Sequence, residues 1–377
     1  MDASQPAEHK PSNHLTARLR ERIRRDGPIT FRDWMSAALY DPQEGYYCRT
    51  DLARWGRSGD YLTSPQRSPL FAVTFAHYFA RLYGELGAPA SWTIIEAGAG
   101  AGHFAAGVLE TLQRDFPEIF ARTRYLIDEA SADAVGRAKA MLAPFKERVD
   151  FGCLLQREEP TGESIVFANE LLDAFPVHRL TVREGQLMEL FVGCDEAGEF
   201  VWIEDAPSTP RLAEYLHTLR IELAEGQTAE VNLEAVDWIS KVAGLLQRGF
   251  LVIVDYGAEA FELYDSSLRP AGTLRAFQRH RLSNDALCSP GEQDLTTTID
   301  WTSVKNAGTQ AGLRTILLER QDKFLLQAGL LEQLERLTAK ALSEADIAAL
   351  RASARDMILP DGMSASFQVL VQKSGAD

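Results

Sequence analysis

The chain contains 377 residues, of which 39 are Lys or Arg and 54 are Asp or Glu, so its formal net charge is −15. This length predicts two domains or one large α/β domain with insertions. The composition is 45% hydrophobic and 25% charged, which is typical of a globular protein and excludes a disordered, collagen-like or disulfide-rich chain. The acidity disfavours a nucleic-acid partner and fits a basic partner or substrate better than an anionic one.

The location of the protein is predicted from three features of the sequence. No run of about eighteen apolar residues occurs, so no membrane span is expected. The first 14 residues hold two acids and no apolar core, which disfavours a secretory or transit peptide. The four cysteines are scattered, without a C-x-x-C motif, so we expect reduced thiols, no metal site and a cytoplasmic location.

The N-terminal part of the chain is predicted to be helical after a polar, disordered tail over residues 1–13. Thr30 followed by Asp33 is similar to a capping box and predicts the start of the second helix. A loop of sequence WGRSGDYLTSP separates that helix from a third, amphipathic one. We expect residues 14–88 to form a helical region that acts as a lid. Its predicted helices cover residues 15–26, 30–40 and about 70–84.

Strands and helices alternate from residue 92 onward, which is the pattern of a parallel sheet. Two segments interrupt the alternation: a hairpin-like insertion at about 177–226, and residues 257–300, which lack clear periodicity. A segment of that length without regular structure is usually a lid or a binding insertion. We assign residues 89–377 to one α/β domain with these two insertions. The predicted strands cover 92–97, 125–127, 149–151, 164–168, 250–256, 314–319 and 366–373.

The first of these strands ends in the segment IIEAGAGAGH, which joins a strand to a helix as nucleotide-binding loops do. Gly98, Gly100 and Gly102 allow a sharp turn and let a ligand approach where a Cβ would collide. The dinucleotide fingerprint G-x-G-x-x-G requires a third glycine where this chain has His103, which disfavours a nicotinamide-dependent oxidoreductase.

The spacing G-x-G-x-G, preceded by Glu96 at the strand end, resembles motif I of the class I S-adenosylmethionine-dependent methyltransferases. This resemblance implies that the methionine part of the cofactor lies over the loop and that Glu96 attracts its ammonium group. Glu129 follows the second strand, 27 residues after Gly102. It is placed to accept hydrogen bonds from both ribose hydroxyls, with Asp128 as the alternative.

A second polar cluster, ANELLDAFP, follows the strand over 164–168. In open α/β sheets, ligands bind beyond the carboxyl ends of the strands. Asn169, Glu170 and Asp173 are costly to bury there unless they bind something. The alternative is that Asn169 caps the next helix and Asp173 faces solvent.

The whole chain is similar to the MidA-type family of S-adenosylmethionine-dependent protein arginine methyltransferases, whose mitochondrial members are known as assembly factors for respiratory complex I. The resemblance implies a Rossmann-like class I methyltransferase sheet of seven strands, the last antiparallel, with an N-terminal helical region and an insertion before the sixth strand. The matching segments, in family order from about residue 29 to 330, are ITFRDWMSAALYDPQEGYY, GRSGDYLTSP, IIEAGAGAG, YLIDEAS, ANELLDAFPVHRL, GFLVIVDYG, GTLRAFQRHR, PGEQDLTTTIDW and FLLQAGLL.

The resemblance also implies the roles of individual residues. Asn169, Glu170 and Asp173 match the family motif N-E-x-x-D-A-x-P beside the transferable methyl group. We expect Glu170 to hold a substrate guanidinium and Asp173 to act as a second acid or proton acceptor. The residues expected to bind S-adenosylmethionine, or its product S-adenosylhomocysteine, are Glu96, Gly98, Gly100, Gly102, Glu129 and Asn169.

Three positions depart from the family pattern. Gln66 replaces a usual glutamate, Gly107 stands where an acid is common, and Thr298 stands where a histidine often follows DLT. These changes leave the glycine loop intact and leave the substrate open.

Further candidates come with alternatives. Tyr46, Tyr47, Asp60 and Thr63 are expected to close over the cofactor, although the two tyrosines are equally well explained as core aromatics. His103 is better explained as the start of a helix than as an acid or base.

The candidate residues near the second insertion also have alternative interpretations. Asp255, Tyr256 and Gly257 line the acceptor channel, or Asp255 caps the following turn. His280 and Asp294 lie in the predicted lid. The cluster of Arg275, Arg279 and Arg281 is most simply a solvated basic face.

We therefore expect methylation of an arginine on a protein partner. The alternative is a catalytically inactive assembly chaperone on the same fold. The sequence does not determine the oligomeric state, and a homodimer is one expectation for it.

Overall fold

The structure, a computed structural model, describes residues 14–49, 68–278, 281–283, 285–359 and 366–375. The predicted tail and the loop WGRSGDYLTSP lie outside these residues. So do the candidate residues Asp60, Thr63, Gln66, Arg279 and His280, and the side chain of Arg281.

The described elements follow the predicted alternation, with additional short strands in both insertions. The strands are β1 (Ile29–Thr30), β2 (Trp92–Ala97), β3 (Thr123–Asp128), β4 (Val149–Phe151), β5 (Glu163–Asn169), β6 (His178–Arg183), β7 (Gln186–Cys194), β8 (Phe200–Asp205), β9 (Thr228–Val231), β10 (Arg248–Ala258), β11 (Arg275–Gln278), β12 (Arg281–Ser283), β13 (Asp294–Thr296), β14 (Ile299–Asp300), β15 (Arg314–Arg320) and β16 (Phe367–Ser374). The α-helices are α1 (His14–Asp26), α2 (Phe31–Tyr40), α3 (Pro69–Glu85), α4 (His103–Asp115), α5 (Pro117–Arg122), α6 (Ala132–Met141), α7 (Arg211–Leu219), α8 (Leu233–Leu245), α9 (Ala260–Leu263), α10 (Trp301–Gln310), α11 (Gln321–Gln327), α12 (Leu330–Thr338) and α13 (Glu344–Ile358).

The main sheet has the strand order β15–β16–β10–β5–β2–β3–β4, with β14 paired beside the end of β10. Strands β10, β5, β2, β3 and β4 run parallel, whereas β16 is antiparallel to both of its neighbours. The seven predicted strands form this sheet and the last one is antiparallel, as predicted, while the short β14 is an eighth strand.

Strand β10 illustrates why this sheet forms at the centre of the molecule. Phe250, Val252 and Val254 lie in the apolar cluster on one face of the sheet, which includes α3 and α4. Leu251 and Ile253 lie in the cluster on the other face, which includes α8 and α10. A parallel strand covered on both faces requires a nearly continuous apolar run, and FLVIV supplies it.

A second, antiparallel sheet has the order β1–β7–β6–β9, with β8 paired to β7. Trp34 of α2, Val192 of β7 and Leu295 of β13 share one buried cluster. Helix α2 begins as predicted, since the Thr30 side chain accepts a hydrogen bond from the Asp33 N–H at 3.1 Å. Helices α1 and α2 thus pack with the two insertions, whereas α3 packs on the main sheet, and the predicted boundary after residue 88 stays a prediction.

The insertion over residues 257–300 contains a small sheet of order β12–β11–β13. Its strands have three or four residues, too few for a two-residue periodicity to be recognised in the sequence. Within the described ranges, no helix combines the length and the apolar character needed to cross a membrane.

Candidate functional site

A cavity of about 730 Å³ lies at the carboxyl ends of β2, β3 and β5. Its volume falls within the range of about 300–1,000 Å³ that is usual for small-molecule sites. Of the eight residues predicted to bind the cofactor or to act in catalysis, all except Gly102 line it. The lining residues used below are Tyr40, Tyr47, Glu96, Gly98, Gly100, Glu129, Asn169, Glu170, Asp173, Tyr256, Arg275 and Asp294.

The glycine loop connects β2 to α4, and its three glycines have φ angles of 71°, 54° and 81°. A Cβ added to Gly98 would lie 2.9 Å from Leu171 Cδ1, whereas one added to Gly100 would meet no protein atom within 4 Å. Gly102 begins α4 and packs against Ala138. Gly100 therefore leaves open a space that a side chain would occupy, while Gly98 and Gly102 allow close packing.

Glu129 holds the glycine loop in place. Its Oε2 accepts a hydrogen bond from Gly100 N–H and its Oε1 accepts one from Ser131 N–H, both at 2.8 Å. Asp128, the alternative for the ribose, accepts a hydrogen bond from Leu154 N–H at 2.9 Å, and burial raises its pKa. Binding of ribose by Glu129 stays a prediction.

Glu96 is buried at the end of β2, where the Tyr125 hydroxyl donates a hydrogen bond to it at 2.6 Å. Burial and the nearby charge of Glu129 raise the pKa of Glu96 to about 8. At neutral pH this carboxyl is therefore mostly protonated in the protein alone. Attraction of an ammonium group by Glu96, which stays a prediction, requires that the carboxyl lose its proton on binding.

Asn169 is the last residue of β5, and Glu170 follows it. The Asn169 Nδ2 donates to Glu170 Oε1 at 3.1 Å, while its buried Oδ1 has no hydrogen-bond partner among the described residues. The alternative that Asn169 caps a helix is therefore wrong. Glu170 has a φ of 52°, a strained conformation for a residue with a side chain, and its N–H donates to Val254 O at 2.9 Å.

Asp173 lies in a short 3-10 turn, Leu172–Ala174, and is only 5% exposed, so the alternative that it faces solvent is wrong. Burial raises its pKa to about 6, although the Tyr256 hydroxyl and the charge of Arg275 act in the opposite direction. Asp255 is fully buried and does not line the cavity: its Oδ2 accepts the N–H groups of Leu172 at 3.0 Å and Asp173 at 3.3 Å, and so holds the turn.

Two tyrosines close the cavity from the N-terminal side. The Tyr40 hydroxyl donates to Ala174 O at 3.0 Å, and the Tyr47 hydroxyl donates to Asp294 Oδ1 at 2.7 Å. The two rings are stacked, with centroids 5.5 Å apart. Tyr46 is fully buried in the core, so the core interpretation is correct for Tyr46. Tyr47 lines the cavity, and its closing over the cofactor stays a prediction. Tyr40 lies in the segment ITFRDWMSAALYDPQEGYY, which carries part of the family resemblance, but the sequence did not predict it as a site residue.

The interpretation of Arg275 as part of a solvated face is wrong. Its guanidinium carbon lies 4.5 Å from the centroid of the Tyr256 ring, inside the cavity wall, and its Nη2 donates to Thr298 Oγ1 at 3.4 Å.

The departure from the family pattern at Gly107 has a packing reason, since a Cβ there would lie 2.7 Å from Ala72 Cβ of α3. His103 begins α4 as expected.

The sheet order, the glycine loop and the acids after successive strands together define an α/β methyltransferase of class I. Among the residues that the structure describes, no group of three or more His, Cys, Asp or Glu side chains is arranged to hold a metal ion. The model of one protein family, described as "Putative S-adenosyl-L-methionine-dependent methyltransferase", matches residues 74–318. The chain belongs to this family of S-adenosylmethionine-dependent methyltransferases.

Curated relatives and a crystal structure extend the comparison. A Drosophila melanogaster protein named "Protein arginine methyltransferase NDUFAF7 homolog, mitochondrial" is 29% identical over 91% of this chain and 81% of its own length. A Rattus norvegicus protein named "Protein arginine methyltransferase NDUFAF7, mitochondrial" is 26% identical over 90% of this chain and 79% of its own length. A crystal structure from Burkholderia thailandensis bound to S-adenosyl-homocysteine has a TM-score of 0.84 and 29% identity, covering 99% of this chain and 96% of that one.

The expectation of a cytoplasmic location is corrected by these relatives. Both curated proteins are named as mitochondrial, and their similarity covers most of both chains. A cytoplasmic location is no longer inferred.

The cofactor of this family fits the residues that line the cavity. Gly100 leaves room over the loop, and the acids Glu96 and Glu129 line the same cavity, where their contacts with the ammonium group and the ribose stay predictions. The unpartnered Oδ1 of Asn169 is a further acceptor for a ligand N–H.

Proposed function

We propose that this methyltransferase transfers the methyl group to an arginine side chain of a protein substrate. One observation carries the proposal: the acids Glu170 and Asp173 lie with Tyr256 in the same cavity as the glycine loop. Curated relatives named protein arginine methyltransferases support it. The net charge of −15 also favours a cationic acceptor.

The chemistry of the acceptor explains the choice of residues. A guanidinium is effectively always protonated and is recognised by carboxylates through paired N–H···O bonds. Glu170 forms such a pair, which concentrates the positive charge on the bound nitrogens and orients the remaining one. The Asn169 Oδ1 accepts one more N–H.

S-adenosylmethionine, when bound, supplies an electrophilic methyl group on a positively charged sulfur. The attacking nitrogen must then lose one proton, and Asp173 accepts it. With a pKa raised to about 6, Asp173 is ionised at neutral pH and is a stronger base than an exposed aspartate. Tyr40 and Tyr47 restrict the access of water.

The test uses S-adenosylmethionine with a labelled methyl group, added to a protein lysate and to peptides that contain arginine or, in matched copies, lysine. We expect label in methylarginine after acid hydrolysis, and none with Glu170→Gln. Calorimetry should detect binding of S-adenosylhomocysteine but not of NAD. Label confined to another amino acid would contradict the arginine substrate. Cofactor binding without transfer would favour the inactive chaperone instead.

A further inference from the structure

Arg275 places a positive charge at the acceptor end of the cavity, although it is not among the residues expected to act there. It begins β11 in the second insertion, and its guanidinium carbon lies 4.5 Å from the centroid of the Tyr256 ring. Its Nη2 donates to Thr298 Oγ1 at 3.4 Å, while its buried Nε has no hydrogen-bond partner among the described residues. The stacking on Tyr256 is therefore its main attachment.

Tyr256 connects Arg275 to Asp173. The Tyr256 ring lies beneath the Arg275 guanidinium, and the Tyr256 hydroxyl lowers the pKa of Asp173, which lines the same cavity. The ring also contacts Phe367 edge-on at a centroid distance of 5.5 Å. Phe367 and Arg275 thus fix the plane of the ring, and the ring fixes the direction of the hydroxyl.

Two kinds of influence act on the ionisation of Asp173 in opposite directions. Burial raises its pKa, whereas the Tyr256 hydroxyl, the charge of Arg275 and nearby backbone N–H groups lower it. Arg275 is the cation whose charge favours the ionised form of Asp173. Among the described residues, Asp173 interacts electrostatically with Tyr40, Asp255, Tyr256 and Arg275, and two further acids, Glu170 and Asp294, line the same cavity.

We propose that Arg275 is a positioning residue for methyl transfer: it holds the Tyr256 ring in the cavity wall that Asp173 shares and keeps the Asp173 carboxylate ionised as the proton acceptor. This inference rests on the proposed role of Asp173. The fixed positive charge of Arg275 also repels the cationic substrate. Loss of Arg275 therefore lowers kcat at low pH, because Asp173 becomes protonated, but does not raise KM, because this repulsion is removed.

The kinetic test compares Arg275→Met, Arg275→Lys and the control Arg183→Met, which removes an exposed arginine paired with Glu204. In the wild type, kcat should fall as the pH is lowered through about 6. In Arg275→Met we expect this midpoint to rise by about one unit, so that kcat at pH 6 falls about fivefold and recovers above pH 8. Arg275→Lys should keep the wild-type midpoint within a few tenths.

A purely structural role of Arg275 gives a different result. It predicts an unchanged midpoint, an equal loss of kcat at every pH and a raised KM, and this outcome would overturn the proposal. Thermal unfolding of all three variants identifies any loss of folding, and Arg275→Lys then carries the test if Arg275→Met is unfolded.

A second readout does not depend on any substrate. Carbon NMR of protein labelled at the aspartate carboxyls, saturated with S-adenosylhomocysteine, follows Asp173 directly, with Asp173→Asn as the assignment control. The titration midpoint of Asp173 should rise in Arg275→Met and stay constant in Arg183→Met. A shifted midpoint with no arginine methylation would refute the proposed function but support the effect of Arg275 on the ionisation of Asp173, and an unshifted midpoint would refute the inference alone.

Discussion

The two ends of the cavity are built in different ways. The end expected to bind the cofactor consists mainly of backbone: three glycines with positive φ and the hydrogen bond from Gly100 N–H to Glu129. Apart from Asn169, its residues lie between positions 96 and 131. The acceptor end consists of side chains from four distant segments, represented by Tyr47, Glu170, Tyr256 and Arg275.

This difference separates the two tasks of the site. The geometry of the cofactor end is set by local turn chemistry within one strand–loop–helix–strand unit. The geometry at the acceptor end depends on how the N-terminal helices and the second insertion pack over the sheet. Changes at the first end should alter cofactor affinity, whereas changes at the second should alter turnover.

The largest expected effect is at Glu170. Glu170→Gln keeps the shape of the side chain but removes the charge that pairs with a guanidinium, so turnover should fall at least about 100-fold. The affinity for S-adenosylhomocysteine should stay within about twofold, because the cofactor end is unchanged. Methyl transfer assays and calorimetry measure the two quantities.

A matched control for Glu170 exists in the chain. Glu184 also has a positive φ, 53°, but lies exposed in the turn between β6 and β7. Glu184→Gln should leave both quantities unchanged. Full activity of Glu170→Gln would refute its assigned role.

A smaller effect is expected at Gly98. An alanine there has a φ near 71° and a Cβ 2.9 Å from Leu171 Cδ1, so the loop must shift. The conformational cost of about 1–2 kcal/mol corresponds to about a tenfold loss of affinity for S-adenosylhomocysteine. Gly136→Ala in α6, where a Cβ meets nothing within 4 Å, is the control and should raise thermal stability slightly. Equal affinities in the two variants would contradict the packing role of Gly98.

The smallest expected effect is a pH dependence of cofactor binding. Since the pKa of Glu96 is raised to about 8, the carboxyl must release a proton when an ammonium group binds at lower pH. Affinity for S-adenosylhomocysteine should therefore rise about fivefold between pH 7 and 8. Calorimetry in buffers of different ionisation enthalpy should detect the released proton. Glu96→Gln should bind more weakly and without this dependence; a dependence that persists in that variant excludes Glu96 as its source.

The same contrast explains how much the sequence alone could predict. The main sheet was predictable because strands such as β10 carry apolar runs that only a doubly covered sheet accommodates. The glycine loop was predictable because Gly98, Gly100 and Gly102 mark backbone conformations that other residues avoid.

The acceptor end was less predictable because its parts meet only through tertiary packing. Tyr46 and Tyr47 are neighbours with identical side chains, yet one lies in the core and the other lines the cavity. Arg275 looked like a surface residue because the short strands β11 and β13, which bring it and Asp294 to the cavity, leave no periodicity. Asp255 was expected to line the acceptor channel or to cap the turn after its own strand, whereas it holds the turn Leu172–Ala174 after the neighbouring strand β5.

The division of labour in the cavity is tested most directly by measuring cofactor affinity and single-turnover methyl transfer on the same preparations of Glu129→Gln and Glu170→Gln. Glu129→Gln turns an amide group toward an N–H of Gly100 or Ser131, so it should weaken S-adenosylhomocysteine binding about tenfold. At saturating cofactor it should still transfer methyl to arginine, whereas Glu170→Gln should bind normally and transfer none. If both variants lose binding and transfer to the same degree, the cavity does not have separate cofactor and acceptor ends.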